Sequence, residues 1–411
     1  MNYTMLVGAM ESEECLQEID AMSVYRACER VQDGRCKRGI RYSIAQILTL
    51  IMLGKLVGMT TPAALAQWVR LRAGWLKQVL AWPRPSFPCA STYSNVLRNL
   101  EAEQVNEVLS QLLVRLEASR RCGQEPSRMA EQEEGQRHVH LALDGKTLRG
   151  TLGHQAAQER PMHQLGLYET QTGVLLKEQI VGEKQNELSI VEEFLTPHWV
   201  KGRIISADAM HTQRKSCALI EAFGGFYLFL AKGNQSTLSQ DLQLFFAEPP
   251  ADCRDWRTAH TWEKGHGRLQ HRELVATTEL NDFLAQDWAG VAQTFRLTRT
   301  IEREGKTHQE VVHGLTNLPV ALATASELLR LQRAHWAIEN RLHHRRDVTL
   351  REDHCQVRKG AAPRVLAILN SFVLGLLDFC GVTNVPQRMR LFDAQPWLAL
   401  RLLLGSPLTF T

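Results

Sequence analysis

The sequence HVHLALD at residues 138–144 is an apolar run that ends in a carboxylate, and GRIISAD at residues 202–208 repeats the pattern. Both runs are short and are bounded by polar or glycine-containing segments, which predicts two buried strands. Each strand is expected to end at its acidic residue, Asp144 in the first and Asp208 in the second.

Alternating apolar segments and helical segments surround these two strands. The predicted elements are a hairpin of HQLGLYET (163–170) and VLLKEQIVG (174–182) around a QTG turn, a helix at 186–197, a helix at 214–224 and a strand at 225–233. Short alternating segments with glycine turns follow over residues 234–324 and predict a mainly β insertion. We therefore expect an α/β protein with a mixed sheet flanked by helices.

Asp144 and Asp208 are expected to lie close together. A right-handed crossover places their strands side by side and parallel, and ligands gather at the carboxyl ends of such strands. Two nearby carboxylates repel each other, and a hard divalent cation such as Mg²⁺ relieves that repulsion. A strand-end acid that caps a helix or begins a turn is the alternative for each residue.

A third carboxylate, Glu339, lies in the helix predicted to run from Ser326. His335, Glu339, His343 and Arg346 share one face of that helix by their spacing. Between Arg330 and Arg364 the chain carries nine Lys/Arg against four Asp/Glu, although its total formal charge is only +4. Such a cluster is typical of a polyanion-binding surface, and a solvated helix face is the alternative.

The two ends of the chain are predicted from caps and composition. Residues 1–120 are expected to form an N-terminal helical domain, with Ser43 and Thr61 as helix caps and Ser91 or Thr92 capping a further helix. The sequence leaves two interpretations of this domain: a helix-turn-helix that binds DNA, or a helical packing or dimerisation domain. Residues 121–137 are predicted to be a linker, and residues 383–411 a peripheral tail.

Several stretches of this chain resemble bacterial insertion-sequence transposases of the DDE class, in particular the H-repeat-associated family. They are LALDGKTLRG, KQNELSIVEEFL, ISADAMHTQ, LAKGNQ, HGRLQHRE and HWAIENRLHHRRDVTLRED, within residues 138–380. The chain departs from the family pattern at three positions. His344 stands where Trp is usual, Arg346 where an apolar residue is usual, and Gln270 where an acid is commoner.

The resemblance implies an RNase H-like core at residues 138–233 and 325–382, interrupted by the β insertion. It implies Asp144, Asp208 and Glu339 as catalytic and metal-binding acids, with two Mg²⁺ ions, for which Mn²⁺ can substitute, as cofactors. The activity implied is cleavage of DNA phosphodiester bonds followed by strand transfer. The partners implied are double-stranded DNA, as element ends and target, and a second copy of the chain.

Nine polar or basic residues near the acids are candidates for contact with DNA. They are Lys146, Arg149, Lys232, Asn234, Gln235, His335, Asn340, His343 and Arg346. Lys146 and Arg149 follow Asp144 within five residues and could neutralise phosphates. The histidines could instead be zinc ligands, but no Cys or His elsewhere has a convincing partner spacing. For Lys232, Asn234 and Gln235, which lie in the AKGNQ segment, the alternative to DNA contact is a role in capping the loop.

Composition excludes some classes of protein. Nine scattered cysteines without a CxxC motif argue against a zinc ribbon or a disulfide framework and favour reduced thiols. No signal peptide and no apolar run of membrane-spanning length is expected, so we predict a cytoplasmic, nucleoid-associated protein without a membrane partner. Two rival functions remain: a metal-dependent nuclease without strand transfer, and a domesticated DNA-binding protein without catalysis.

Overall fold

The computed structural model describes residues 23–36, 38, 40–80, 82–123, 138–149, 162–181, 187–265 and 267–404. The predicted linker lies outside these residues from position 124 onward, and its first three residues belong to a helix. The final residues of the predicted tail, 405–411, also lie outside them.

The N-terminal region is helical, as predicted. Its helices are α1 (Val24–Glu29), α2 (Ile44–Leu56), α3 (Pro62–Leu71), α4 (Ala73–Val79), α5 (Ala90–Asn99) and α6 (Ala102–Gly123). Ser43 caps α2 through a reciprocal capping box with Gln46, and Thr61 caps α3 with Pro62 in the first turn. The cap predicted for α5 was wrong, because the helix begins at Ala90, before Ser91 and Thr92, and Cys89 occupies the cap position.

Nine strands form one mixed sheet. They are β1 (His140–Leu148), β2 (Met162–Glu169), β3 (Leu175–Val181), β4 (Ile204–Ala207), β5 (Phe226–Ala231), β6 (Arg257–Gly265), β7 (Arg268–Thr277), β8 (Gln293–Arg303) and β9 (Lys306–Thr316). Their order across the sheet is β3-β2-β1-β4-β5-β9-β8-β7-β6. β1, β4 and β5 are parallel neighbours, and every other pairing is antiparallel.

The hairpin of β2 and β3 forms as predicted, but β1 does not end at Asp144. β1 continues to Leu148 because the antiparallel β2 pairs with it along that whole length, down to Met162 opposite Leu148. The parallel β4 accompanies only the first part of β1, as far as Leu143. Asp144 therefore lies inside a strand, at the point where β4 stops.

Helices cover both faces of the sheet. Between its strands the chain forms α7 (Glu187–Phe194), α8 (Pro197–Val200), α9 (Arg214–Ala222), α10 (Ser236–Ala247) and α11 (Asn281–Leu284). The segment 234–324 is mainly β, as predicted, but α10 at its start was not predicted. Its four strands also extend the central sheet, because β9 pairs with β5.

The long helix predicted from Ser326 is not one continuous α-helix. An α-helix, α12 (Ala325–His335), is capped by the Thr324 side chain and is followed by two π-helical segments, Ile338–His343 and Arg345–Thr349. π-Helical turns are rare and frequently lie at functional sites. The wider turn changes which side chains share a face, and Glu339 lies in the first of these segments.

The C-terminal region is part of the core, so the prediction of a peripheral tail was wrong. It consists of α13 (Ala362–Phe379), α14 (Val385–Ala394) and α15 (Pro396–Leu404). Apolar side chains of α15, such as Leu400 and Leu403, are fully buried, and this helix contacts α1 and α2.

The N-terminal helices share one hydrophobic cluster with α13 and the β1–β5 side of the sheet, so they are not a separate domain. α13 contacts α2, α5 and α6. Contrary to the sequence-based expectation, α13 is by length and composition apolar enough to cross a membrane. It lies 83% buried inside the protein, as expected of a core helix.

Candidate active site

The register of β1 and β4 brings the two predicted strand acids to the same edge and face. Ala142 pairs with Ser206. Asp144 lies two residues further along β1, and Asp208, two residues after Ser206, directly follows the end of β4 in an extended conformation. Because side chains alternate between faces with a period of two, both acids are on the face that carries Ser206. That face is covered by α12 and the π-helical segments, since the His335 imidazole reaches the Ser206 hydroxyl.

Asp144, Glu339 and His343 form a compact group of possible metal ligands. Each offers one ligand atom, and the three atoms lie within 4.8 Å of one another. His343 Nδ1 is 3.5 Å from the Asp144 carboxylate and 3.6 Å from the Glu339 carboxylate. The imidazole is almost buried, whereas the Glu339 side chain is 50% exposed, so the group is open to solvent on one side.

Asp208 stands beside this group and is not a member of it. Its side chain accepts a hydrogen bond from the amide of Ala209 at 2.6 Å and lies 3.8 Å from Lys232 Nζ. Its carboxylate and that of Glu339 both act electrostatically on His335. The assignment of three converging acids therefore stays a prediction, in which Asp144 and Glu339 are together and Asp208 is adjacent.

The local electrostatics favour metal-binding forms of the cluster. A hydrogen bond with His343 is the main influence that lowers the pKa of Glu339, and the charge of Lys146 lowers it further, against the effect of burial. Burial lowers the pKa of His343, opposed by its hydrogen bond to Glu339. An ionised carboxylate and a neutral imidazole are the forms that bind a metal.

A chain of buried hydrogen bonds supports the site from below. His335 Nδ1 lies 2.9 Å from Ser206 Oγ, which lies 2.7 Å from His140 Nε2, and His140 Nδ1 lies 3.1 Å from Thr170 Oγ1. Burial lowers the pKa of His335 to about 4 and that of His140 to about 3. Both rings are therefore neutral at physiological pH, and they join β1, β4 and α12 directly below the acids.

Comparison with known protein families identifies the family to which this chain belongs. The sequence profile described as "Transposase DDE domain" matches residues 135–376, and the one described as "DDE_Tnp_1-associated" matches residues 26–113. The chain belongs to the transposase DDE domain family. The resemblance seen in the sequence is thereby confirmed, and the match spans β1 to α13 with both strand acids and Glu339.

The chain is also similar to individual proteins. The chain is 30% identical over 271 residues to an uncharacterized protein of the dhlA 3′ region in Xanthobacter autotrophicus, covering 66% of this chain and 85% of that one. It is 29% identical to the Escherichia coli K12 protein named "H repeat-associated putative transposase YhhI", covering 58% of this chain. The match covers 63% of that relative, which is less than two thirds of its length.

A cryo-EM structure of a piggyBac transposase synaptic complex with hairpin DNA superposes on 97% of this chain and 79% of that one. The TM-score is 0.40 and the identity 11%. That similarity is too low to support any conclusion about this chain.

Within this DDE-family chain, the residues predicted to contact DNA differ in their exposure and in their partners. Arg149, Lys232 and Asn340 are exposed, so their side chains are accessible to a ligand. Lys146 is buried and ion-paired with Asp347 at 2.7 Å. His335 and His343 are buried as described above.

Asn234 and Gln235 are exposed or half-buried and hydrogen-bonded within the protein. The Asn234 amide donates to the carbonyl of Ala209, next to Asp208, and the Gln235 amide donates to the side chain of Gln213. Both bonds tie the short helical turn Gly233–Gln235, after β5, to the turn that follows β4. These contacts agree with the loop-cap alternative and leave the prediction of DNA contact open.

Arg346 does not share the exposed face with Glu339, contrary to the α-helical spacing argument. The guanidinium is 1% exposed because the π-helical turns rotate it into the interior. It donates to Glu352 at 3.0 Å and to Gln164 at 3.0 Å, and lies 3.4 Å from Glu178. With these partners it has no surface for a phosphate, so we exclude it from the DNA contacts.

Sequence reasoning missed the polar residues beneath the site. His140 precedes Asp144 by four residues and Ser206 precedes Asp208 by two, both even spacings, so the strand period alone places each pair on one face. That signal was available in the sequence. The partners of Arg346 gave no comparable signal, because Gln164 and Glu178 reach it from the β2–β3 hairpin.

Proposed function

We propose that this protein is an active DDE transposase that cleaves DNA at the ends of an insertion-sequence element and transfers the strands to a target. The β3-β2-β1-β4-β5 part of the sheet, with its antiparallel β2, supports an RNase H-like core as the scaffold. The observation that carries the proposal is the cluster of Asp144, Glu339 and His343 beside Asp208.

The donor set suits a divalent cation. Two carboxylates and one imidazole converge within 4.8 Å, and Glu339 leaves the group open on the solvent side. We propose Asp144, Asp208 and Glu339 as ligands of two Mg²⁺ ions, with Mn²⁺ as a substitute, and His343 as a further ligand or a partner of both carboxylates. When bound, such ions activate the attacking oxygen and stabilise the leaving oxygen.

The chain's own residues prepare the site for that chemistry. β1 and β2 fix Asp144 inside a paired strand, and the buried His335–Ser206–His140 chain holds α12 against the sheet. Lys146, held by Asp347, places a positive charge that lowers the pKa of Glu339. Lys232, which lies beside Asp208, and the exposed Arg149, which follows β1, are proposed to bind phosphates of the DNA.

The reaction consists of two displacements at phosphorus. Water first attacks a phosphodiester, the bond from phosphorus to the 3′-oxygen breaks, and a free 3′-hydroxyl results. That hydroxyl then attacks a phosphodiester of the target, forming one bond while the phosphorus–oxygen bond to the target strand breaks. We propose that a homodimer in the cytoplasm pairs the two element ends, since each end has to be cut and joined.

Strand transfer with labelled DNA ends tests the function. In Mg²⁺ or Mn²⁺ the wild type should nick a plasmid carrying the element ends and join labelled 3′ ends to a second plasmid. Asp208→Asn should abolish both reactions, whereas Asp252→Asn, an exposed acid remote in sequence from the cluster, should leave both unchanged. Cleavage without joining would identify a nuclease. Equal lack of nicking by wild type and Asp208→Asn would favour a non-catalytic DNA-binding protein.

A further inference from the structure

A groove lined with arginine lies next to the acids on the same face of the sheet. Its volume is about 670 Å³, and it runs between the outer strands β7–β9 and α12. Six cations line it: Lys232, Arg268, Arg272, Arg299, Arg330 and Arg333. The sequence singled out only Lys232 among them as a DNA contact.

The groove is continuous with the candidate active site. Lys232, at the end of β5, lines the groove and lies 3.8 Å from the Asp208 carboxylate. Asn340, which also lines it, is the residue after Glu339. A ligand lying in the groove would therefore pass beside two of the three proposed catalytic acids.

The positive charge of the groove is incompletely neutralised. Glu263 pairs with both Arg272 and Arg333, and Glu327 pairs with Arg330. Glu310 approaches Arg299 only to 3.7 Å. Among the described residues, Arg268 has no ion-pair partner. Six cations thus share four carboxylates, Glu263, Glu310, Glu327 and Asp208, which leaves an excess of positive charge on an open surface.

Arg299 of β8 lies among these positive charges, directly opposite Arg272 of β7. Its Nε is buried and makes no hydrogen bond within the part of the chain that the structure covers. Burial lowers the pKa of Arg299, and the positive charges of Arg272 and Arg268 lower it further. Three neighbouring guanidinium groups that share only Glu263 and the more distant Glu310 repel one another unless a further anion neutralises them.

We propose that this groove binds the sugar-phosphate backbone of the DNA that leads to the scissile phosphate, with Arg268 and Arg299 as its main phosphate contacts. Planar guanidinium groups recognise phosphate oxygens with paired hydrogen bonds, which suits a cluster of this kind. Since the outer strands β6–β9 supply three of the six cations, the inference gives the β insertion a role in holding substrate. It rests on the proposed function.

DNA binding measured without catalysis tests the groove. The protein would carry Glu339→Gln in all samples, and binding would be followed by fluorescence anisotropy with a fluorescein-labelled duplex of roughly 30 base pairs of arbitrary sequence, because phosphate contacts are independent of sequence. The test variant is Arg268→Gln/Arg299→Gln. The matched control is Arg254→Gln/Arg390→Gln, which removes two exposed arginines outside the groove.

The test variant should bind the duplex at least about tenfold more weakly. The slope of its plot of log Kd against log salt should fall by about 2, because each of the two lost phosphate contacts contributes about 0.9. The control should keep the wild-type affinity and slope. Thermal unfolding of each variant, followed by circular dichroism, shows whether it is folded. Should the double variant be unfolded, Arg268→Lys/Arg299→Lys replaces it, and this variant should keep the salt slope but lose affinity.

The groove inference and the proposed function fail in different ways. If folded groove variants bind DNA with the wild-type affinity and salt slope, the groove inference is wrong, whatever the enzyme does. If the wild type binds through the groove arginines but never cuts DNA in Mg²⁺ or Mn²⁺, the groove stands and the catalytic proposal falls.

Discussion

The imidazole of His343 lies 3.5 Å from the Asp144 carboxylate, although the two residues are 199 positions apart in the chain. One is held inside β1 and the other in a π-helical turn after α12. The same Nδ1 atom lies 3.6 Å from Glu339. The His343 nitrogen thus lies between the carboxylate oxygens of Asp144 and Glu339, and a nitrogen in this position affects which metal the site prefers.

His343 should make the site favour Mn²⁺ over Mg²⁺. Imidazole nitrogen suits transition metals, whereas Mg²⁺ prefers oxygen ligands. We expect His343→Asn to weaken Mn²⁺ binding roughly 10–100-fold, a range typical for loss of groups that support a metal site, and to change Mg²⁺ binding less. Isothermal titration calorimetry with each metal measures this. His344→Asn, an exposed neighbour, is the control, and equal losses for both metals would contradict a ligand role.

Removal of the Arg346 guanidinium should destabilise the whole fold. Arg346→Met leaves Glu352 and Glu178 as buried carboxylates without their cation, and breaking such a pair costs about 3–5 kcal/mol. Urea unfolding followed by fluorescence gives the free energy of unfolding. The exposed Arg254→Met should change it by no more than about 0.5 kcal/mol. A loss below about 1 kcal/mol for Arg346→Met would show that the buried network is not a structural anchor.

The buried histidines should make stability depend on pH. The unfolded chain binds their protons near the ordinary pKa of 6.5, but the folded protein does so only near 4 at His335 and near 3 at His140. The unfolded state therefore binds more protons between these values, and stability falls as the pH drops below about 6.5. Each group contributes a slope of about 1.4 kcal/mol per pH unit within its window.

His335→Gln tests this dependence with urea unfolding from pH 7 to pH 4 in EDTA. As the pH falls over that range, the free energy of unfolding of the variant should decrease less steeply than that of the wild type. The difference between the two slopes should correspond to one proton. The exposed His344→Gln should keep the full slope. If both variants follow the wild-type profile, His335 is already protonated in the folded protein at neutral pH or exposed to solvent.

Gly314 should be essential at the junction between the two parts of the sheet. It pairs with Leu230 of β5 and Phe295 of β8, and a Cβ there would collide with the Phe295 ring and the Phe229 carbonyl. Gly314→Ala should destabilise the protein by about 1–3 kcal/mol, as overpacking of a core does. Gly265→Ala, where a Cβ meets no atom within 4 Å, is the comparison, and equal stability of the two variants in urea would contradict the close approach.

The sequence predicted those features that depend on local pattern. The strand that leads into Asp208, the hairpin of β2 and β3 and the caps at Ser43 and Thr61 all follow from alternation or cap chemistry within a few residues. The parallel pairing of β1 with β4 followed from the handedness of crossovers. These features place Asp144 and Asp208 on one edge without any knowledge of distant contacts.

Features that depend on distant contacts escaped prediction. β1 continues past Asp144 because β2 pairs with it, and Arg346 turns inward because a π-helical segment replaces the expected α-helix. The C-terminal helix α15 looked peripheral, although its leucines pack against α1 and α2. The buried Arg346 is accommodated by its ionic partners Glu352 and Glu178.

Mn²⁺ binding and single-turnover DNA cleavage, measured on the same preparations of wild type, Asp144→Asn and Glu339→Gln, test the central claim most directly. The account predicts that each substitution weakens Mn²⁺ binding and slows cleavage together, the latter by at least about 10²–10³-fold, as loss of one group that stabilises developing charge typically does. Asp252→Asn should change neither quantity. Cleavage at the wild-type rate by either substituted protein would contradict the assignment of Asp144 and Glu339 as the catalytic metal ligands.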